Sequence, residues 1–173
     1  YNLHHISLAP VIKTINVAWQ YNSSLERIVL IGGFNLNDTN GMGFLINCIK
    51  LGQAVVKSSA LSSLKKIPAS MVNGCKNIKK VDFAGVSGIG RMAFYESGIE
   101  EFEVPETVTS IDDTNGGYTF YNCNQLRKII LSSGCTIITQ QMFRYCYRLQ
   151  YVTCNGDVTK IGENAFKDCK CIK

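Results

Sequence analysis

Histidine is scarce in this sequence, and so are charged residues and long apolar runs. The two histidines, His4 and His5, stand side by side near the start, so no imidazole is available elsewhere for acid–base chemistry. Charged residues make up 18% of the chain, against about 25% in an ordinary globular protein. No apolar run approaches the roughly 20 residues that span a bilayer, so no membrane-spanning helix is expected.

The motifs that would indicate an enzyme are also missing. The sequence contains no G-x-S-x-G, no H-E-x-x-H and no phosphate-cradling glycine loop, and Gly85, Gly88 and Gly90 do not form a nucleotide fingerprint. The net charge is +5, but the basic residues are spread along the chain, whereas nucleic-acid binding favours a concentrated basic face. We therefore expect no catalytic residue, cofactor, metal ion or nucleic-acid partner.

The length and the first residues bound the organisation of the chain. With 173 residues, 46% of them apolar, the chain suits one domain with a sizeable core, spanning residues 1–173. Tyr1–His5 lacks the basic and then apolar pattern of a signal peptide. The chain does not begin with Met, as expected of a trimmed fragment.

A repeat organises what the sequence does contain. Its clearest element is an aliphatic residue followed by apolar residues three and five positions later, as in Leu126, Ile129 and Leu131. A second element, a bulky residue followed three positions later by a small one, precedes it, as in Phe120 and Cys123. A third, an aliphatic pair such as Val86 and Ile89, comes earlier still. The first element starts every 21 to 27 residues, at Leu3, Leu25, Leu51, Ile78, Ile99, Leu126, Leu149 and Ile172.

The repeat predicts a solenoid, because apolar residues two positions apart face the same side of a strand and one strand cannot bury that face alone. Stacked coils about 4.8 Å apart would place equivalent side chains in columns. We expect Phe94, Phe120, Phe143 and Phe166 to form such a column. The bulky-residue segment is predicted to form a helical or 3₁₀ turn, and the third element a second short strand. The fold class is thus a strand-rich α/β solenoid of about seven repeats, with partial repeats at both ends.

The consensus, Val-x-x-Ile-(x)-Ala-Phe-x-x-Cys-x-x-Leu-x-x-Ile-x-Leu, resembles the BspA-like leucine-rich repeat. Residues 89–104, with Ala93-Phe94, and residues 161–172, with Ala165-Phe166 and Cys169, match it best. The resemblance implies a right-handed superhelix and a secreted or cell-surface protein. It also implies adhesion to a host matrix or cell-surface protein, with no shared catalytic residues.

Eight cysteines are many for this length, and five of them share one repeat phase. We interpret them as buried thiols that serve as small apolar side chains. Disulfides between neighbouring coils are an alternative, although parallel side chains in a column disfavour the bond geometry. A zinc site is a weaker alternative, because only Cys169-x-Cys171 is present and no C-x-x-C pair.

The outer side of the strands is the first candidate binding surface. Ordinary cross-strand pairing is the default interpretation of its residues. The functional alternative is a face that binds a protein partner, with Ile130 and Tyr151 as apolar anchors. The candidate residues are Arg27, Gln53, Lys80, Glu101, Lys128, Ile130 and Tyr151.

Two insertions share the sequence Asp-Thr-Asn-Gly, one with Asp38 and Asn40 and the other with Asp113 and Asn115. These residue types form turns, so a plain turn is the default interpretation. A contact loop or a weak calcium site is the alternative, but calcium needs six or more oxygens and each loop offers few.

Three functions therefore stay open: an exported adhesion or ligand-binding module, a structural spacer, and an intracellular scaffold for protein interactions. Solenoids need polar caps, and this chain begins and ends inside predicted strands. We accordingly expect either fragment boundaries or end-to-end self-association.

Overall fold

The structure, a computed structural model, describes residues 4–8, 19–31, 43, 45–57 and 66–173. The strands predicted from the repeat are found in each of its first seven units, whereas Ile172, the eighth start, lies in no strand. The longer strands are β1 (His5–Leu8), β2 (Arg27–Ile31), β3 (Gln53–Lys57), β5 (Lys80–Ala84), β7 (Glu101–Glu103), β9 (Lys128–Leu131) and β11 (Tyr151–Cys154). The short ones are β4 (Lys66–Ile67), β6 (Gly88–Ile89), β8 (Ser110–Ile111), β10 (Ile137–Ile138) and β12 (Lys160–Ile161).

The strands pair in parallel and in the register of the repeat. Ile129 of β9 lies between Phe102 of β7 and Val152 of β11. The longer strands form two sheets, β1-β2-β3-β5 and β7-β9-β11, and the short strands form β4-β6-β8 and β10-β12. The break between β5 and β7 coincides with the shortest repeat, 21 residues from Ile78 to Ile99. The break between β8 and β10 coincides with an inserted loop.

The expected helical turns in the bulky-residue segments are not found. Within the described residues, the one helical piece is a 3₁₀ turn at Thr114–Gly116, in the inserted loop. Elsewhere a single hydrogen bond closes each turn, as from the Cys123 N–H to the Phe120 carbonyl at 3.3 Å. The described part of the chain has no helix with the length and apolarity needed to cross a bilayer.

Backbone conformation explains why these turns do not become helices. The residue before each column cysteine or its equivalent has a positive φ, with 53° at Glu96, 57° at Asn122 and 65° at Tyr145. This left-handed conformation directs its N–H to the next coil, as from Glu96 to the Tyr121 carbonyl at 2.9 Å. A helix would need that N–H within its own segment, whereas the solenoid uses it between coils.

The predicted phenylalanine column is confirmed. The ring centroids are 4.9 Å apart for Phe94 and Phe120, 5.6 Å for Phe120 and Phe143, and 5.4 Å for Phe143 and Phe166. The planes of each pair lie within 16° of parallel. Phe94, Phe120 and Phe143 are fully buried, and the surrounding apolar cluster extends from Ile6 to Ala165. Equivalent side chains of successive coils thus exclude water together.

The cysteine column forms a second ladder, made of hydrogen bonds. Each thiol donates to the carbonyl of the bulky residue in the preceding coil, at sulfur–oxygen distances of 2.9 to 3.0 Å. All eight cysteines are free thiols. The buried-thiol interpretation is confirmed for the column, where Cys169 is half-buried and the other members are buried. The pairs are Cys48 with Trp19, Cys75 with Leu45, Cys123 with Phe94, Cys146 with Phe120, and Cys169 with Phe143.

One carboxylate connects three successive coils at the surface. Glu106 accepts hydrogen bonds from the N–H of Ser133 at 3.0 Å, from its hydroxyl at 2.8 Å, and from the side-chain amide of Asn155 at 2.7 Å. The bond to Asn155, followed by those to Ser133, holds the pKa of Glu106 below its ordinary value. The carboxylate therefore stays ionised as a clamp between coils.

We expect Phe120→Ala to cost about 3–5 kcal/mol of unfolding free energy, because it opens a cavity between two stacked rings. Phe166→Ala should cost clearly less, because Phe166 is only half-buried. Urea unfolding followed by circular dichroism measures both variants. Equal losses would contradict a column that is tightest at its centre.

The thiol ladder predicts that Cys123→Ser is better tolerated than Cys123→Ala. Serine keeps a donor for the Phe94 carbonyl, and Ser97 already occupies the same repeat phase. Alanine removes this second partner of the carbonyl, which still accepts from the Ser97 N–H at 3.0 Å, so the cost should be about 0.5–1.5 kcal/mol. Unfolding free energies of the two variants would settle the point, and an alanine variant as stable as the serine variant would argue against the ladder.

Candidate binding surfaces

The strand face, the outer side of the longer strands, is exposed as the alternation along each strand requires. In β7, Glu101 and Glu103 are exposed while Phe102 between them is only 8% exposed. Of the two predicted apolar anchors, Tyr151 is the more accessible: its side chain is 48% exposed, whereas Ile130 is half-buried. The other candidates are Arg27, Lys80 and Lys128, which are exposed, and Gln53, which is half-buried.

The expected contacts between side chains of neighbouring strands on this face are found only in part. Arg27 donates to the Gln53 side chain at 2.9 Å, but the break between β5 and β7 separates Lys80 from Glu101. Glu101 lies opposite Lys128 in the ladder. Within the described residues neither side chain forms an ion pair. The charge pair that does bridge the break is Lys79 with Glu100. Within the part of the chain that the structure describes, Glu101 and Lys128 are thus neighbours across the ladder without ion-pair contact.

A shallow depression of about 180 Å³ lies in the strand face. It lies between strands β7 and β9 and is lined by Phe102 and Ile130. The Phe102 ring itself faces the core, with its centroid 4.8 Å from that of Phe94, so Ile130 is the apolar side chain on the outer side. The polar part of the depression is formed by Glu101, Glu103 and Lys128. Three of the predicted candidates, Glu101, Lys128 and Ile130, are therefore brought together, whereas Arg27 and Gln53 lie in the other sheet.

The inserted loop after β8 folds as a turn. The carboxylate of Asp112 accepts hydrogen bonds from the N–H of Thr114 at 2.9 Å and from its hydroxyl at 2.6 Å. Burial acts to raise the pKa of Asp112, but these bonds, with Lys66 and Arg91 nearby, hold it below its ordinary value. Asp113 and Asn115 are exposed. The role of these two residues as contacts stays a prediction.

Asp38 and Asn40 of the matching insertion lie outside the described residues. Among the residues that are described, no three histidine, cysteine or acidic side chains are grouped closely enough to hold a metal ion.

Sequence reasoning missed a cluster of tyrosines on the turn side of the solenoid, which we call the tyrosine surface: Tyr95, Tyr118, Tyr121, Tyr145 and Tyr147 with Arg144. Tyr95 and Tyr121 stack at 5.0 Å with planes 6° apart. Tyr118 and Tyr145 meet Tyr121 edge-on, at 5.4 and 5.3 Å. The Arg144 guanidinium lies 4.6 Å from the Tyr145 ring centroid.

A weak signal for this surface exists in the sequence. Tyr95 and Tyr121 each follow a column phenylalanine directly, so they share a repeat phase. Tyr118 and Tyr147 belong to other phases and join the cluster only because the coils stack. Tyrosine and arginine are enriched at protein interfaces, which makes this surface a second candidate.

The buried cysteines do not form a nucleophilic site in the folded chain. Burial raises the pKa of Cys48 to about 11, and the same cause raises that of Cys169 to about 11. Burial also raises the pKa of Cys75, Cys135 and Cys146. The nucleophilic form is the thiolate, so these thiols are unreactive near neutral pH.

We expect iodoacetamide at neutral pH to label Cys171 rapidly in the folded protein, because it is the exposed thiol. The five column cysteines should react only after unfolding in guanidinium. Mass spectrometry of peptides before and after unfolding measures this difference. Rapid labelling of Cys123 or Cys146 in the folded protein would contradict their burial.

Comparisons with known proteins agree with this architecture. A model of the BspA type leucine-rich repeat region matches residues 43–173 in 6 copies. No curated protein matches the chain. Among solved structures, the T. pallidum leucine-rich repeat protein is similar with a TM-score of 0.58 and 15% identity, over 97% of this chain and 74% of that one.

A leucine-rich cell surface protein from Faecalibacterium prausnitzii A2-165 is similar with a TM-score of 0.56 and 18% identity. The match covers 100% of this chain and 47% of that protein, so the chain spans about half its length. At these identities the likeness concerns the fold alone.

Proposed function

The chain belongs to the BspA-type leucine-rich repeat family, and we propose that it is a non-catalytic module that binds a protein through its strand face. The observation that carries this proposal is the depression between β7 and β9. It combines the apolar side chain of Ile130 with the charges of Glu101, Glu103 and Lys128, none of which forms an ion pair within the described residues. Solenoids offer such extended faces to partners because only neighbouring coils contact each other.

The residue types of the face suit a protein partner. Tyr151 is 48% exposed, and its ring supplies contact area with little loss of rotamer entropy. Ile130 lies one strand away, in register with Thr153. Lys128 is exposed and lies in the ladder between Tyr151 of β11 and Glu101 of β7. An apolar centre surrounded by charges is the usual arrangement of a transient protein interface.

The tyrosine surface is a second candidate for the same function. Its rings are held by contacts with one another and by hydrogen bonds, including one from the Gln141 amide to the Tyr118 hydroxyl at 3.0 Å. Side chains that are already ordered lose little entropy when a partner binds. This surface faces away from the strands, so variants can separate the two.

We further propose an exported protein that binds a host matrix or cell-surface protein, as the family resemblance implies. One structural neighbour is named a cell surface protein. A structural spacer and an intracellular scaffold are the alternatives. A signal or lipid-anchor segment in the complete gene would exclude the scaffold, and antibody staining of intact cells would test export directly.

The test is a solid-phase screen of immobilised matrix and serum proteins, followed by biolayer interferometry on any ligand found. We expect Lys128→Ala with Tyr151→Ala to weaken binding about tenfold or more. The matched control, Lys160→Ala with Ile137→Ala, removes a cation and an exposed apolar side chain from the short strands and should bind normally.

Other results of these experiments would assign the protein a different role or a different binding surface. Loss of binding only in Tyr95→Ala with Tyr121→Ala would move the interface to the tyrosine surface. The spacer would be favoured if nothing binds tighter than micromolar. End-to-end self-association, which we also propose, would appear in sedimentation velocity as species that grow with concentration.

A further inference from the structure

Charge is unevenly distributed along the solenoid. Residues 92–126 contain seven carboxylates and no lysine, arginine or histidine, whereas residues 127–173 contain eight basic residues and three acidic ones. Four of these basic residues lie, with two tyrosines, along the corner where the turn side of the solenoid meets the strand face. We call this corner the basic edge: Lys128, Arg148, Lys170 and Lys173 with Tyr147 and Tyr151.

Backbone hydrogen bonds make the basic edge one continuous surface over three coils. The Gln150 N–H donates to the Arg127 carbonyl at 2.9 Å, and the Lys173 N–H donates to the Gln150 carbonyl at 3.1 Å. Tyr151 lies opposite Lys128 in the parallel ladder. The chain segments that carry the four cations therefore lie side by side.

The two lysines of the last coil lie beside accessible aromatic rings. The Lys170 ammonium is 5.6 Å from the centroid of the Tyr147 ring, which is 41% exposed. The Lys173 ammonium is 5.8 Å from the centroid of the exposed Tyr151 ring. Both distances allow a cation–π interaction. The basic edge therefore presents positive charge and aromatic area together.

The carboxylates of the chain do not neutralise this edge. Within the described residues none of its four cations forms an ion pair. Arg148 donates instead to the Gln125 side-chain oxygen at 2.9 Å, and Lys128 faces Glu101 across the ladder without ion-pair contact. All four basic side chains are exposed, so a ligand can reach them.

We infer that the basic edge binds an acidic segment of the protein partner. Carboxylates of that segment would lie near the four cations, and an apolar side chain between them would cover Tyr147 and Tyr151. This inference rests on the proposed function and names the chemistry of the partner at the same end of the strand face.

The tyrosines favour an acidic peptide over a sulfated polysaccharide. Both ligands supply anions, but only a peptide also brings apolar side chains to the two rings, and tyrosine with arginine is typical of protein interfaces. The carboxylates of residues 92–126 would repel the same ligand, which directs it toward residue 173. Because the edge is open to water, added salt should weaken the attraction.

The test is an NMR titration of the ¹⁵N-labelled protein at low salt with a Glu-Glu-Phe-Glu-Glu-Phe peptide. We expect this peptide to shift the amide signals of residues 128, 147–151 and 170–173. A Lys-Lys-Phe-Lys-Lys-Phe peptide, which carries the same rings with the opposite charge, should leave these signals unchanged.

Arg148→Gln with Lys170→Gln should weaken binding of the acidic peptide about fivefold. The matched control, Lys50→Gln with Lys76→Gln, removes exposed cations from the same two repeat positions in earlier coils and should bind normally. Equal weakening in both double variants would show only general attraction to a basic protein. That result, equal shifts with the basic peptide, or binding of a sulfated heparin hexasaccharide but not of the acidic peptide would overturn the inference.

These outcomes are separate from those of the protein screen. A natural partner whose affinity depends on Tyr151 and Lys128 but not on Arg148 and Lys170 would preserve the proposed function and reject the acidic-segment inference. The reverse result, local binding of the acidic peptide with no protein ligand found, would reject only the proposed function.

Discussion

Contact between equivalent side chains of consecutive coils is the constraint on which the rest of this structure depends. A single coil buries almost nothing by itself, since its strand is at most five residues long. When Phe94, Phe120 and Phe143 stack, each ring covers its neighbours, and all three are fully buried. The parallel ladders then follow, because rings in register bring the flanking backbones to hydrogen-bonding distance.

Stacking also determines what the turns must do with their polar groups. Positive φ values direct selected N–H groups to the next coil. The carbonyl of each bulky residue already accepts one bond within its own turn, and the thiol of the following coil supplies another. A cysteine fits this position because it is small and apolar enough for the core and still carries a donor. The many cysteines thus have a structural explanation that requires no disulfide.

Because the core and the ladders occupy one set of positions, the outward positions can vary without loss of the fold. On the strand face, Glu101 and Glu103 form no ion pair among the described residues. On the turn side it allows tyrosines from three coils to form one surface. The two surfaces are chemically different, one with charges around the Ile130 side chain and the other aromatic, and this contrast makes their roles separable by substitution.

The repeat pattern by itself determined the positions of the strands, the phenylalanine column and the burial of the column cysteines. Periodicity suffices for these features because each depends on which residues share a phase. Only the tertiary structure decided the conformation of the turns, because the carbonyl that accepts each hydrogen bond belongs to the neighbouring coil. It also decided the break that separates Lys80 from Glu101, because the effect of a short repeat on strand pairing appears only when the coils are stacked. The contacts of Tyr118 and Tyr147 with their neighbours likewise join different repeat phases, which only stacking brings together.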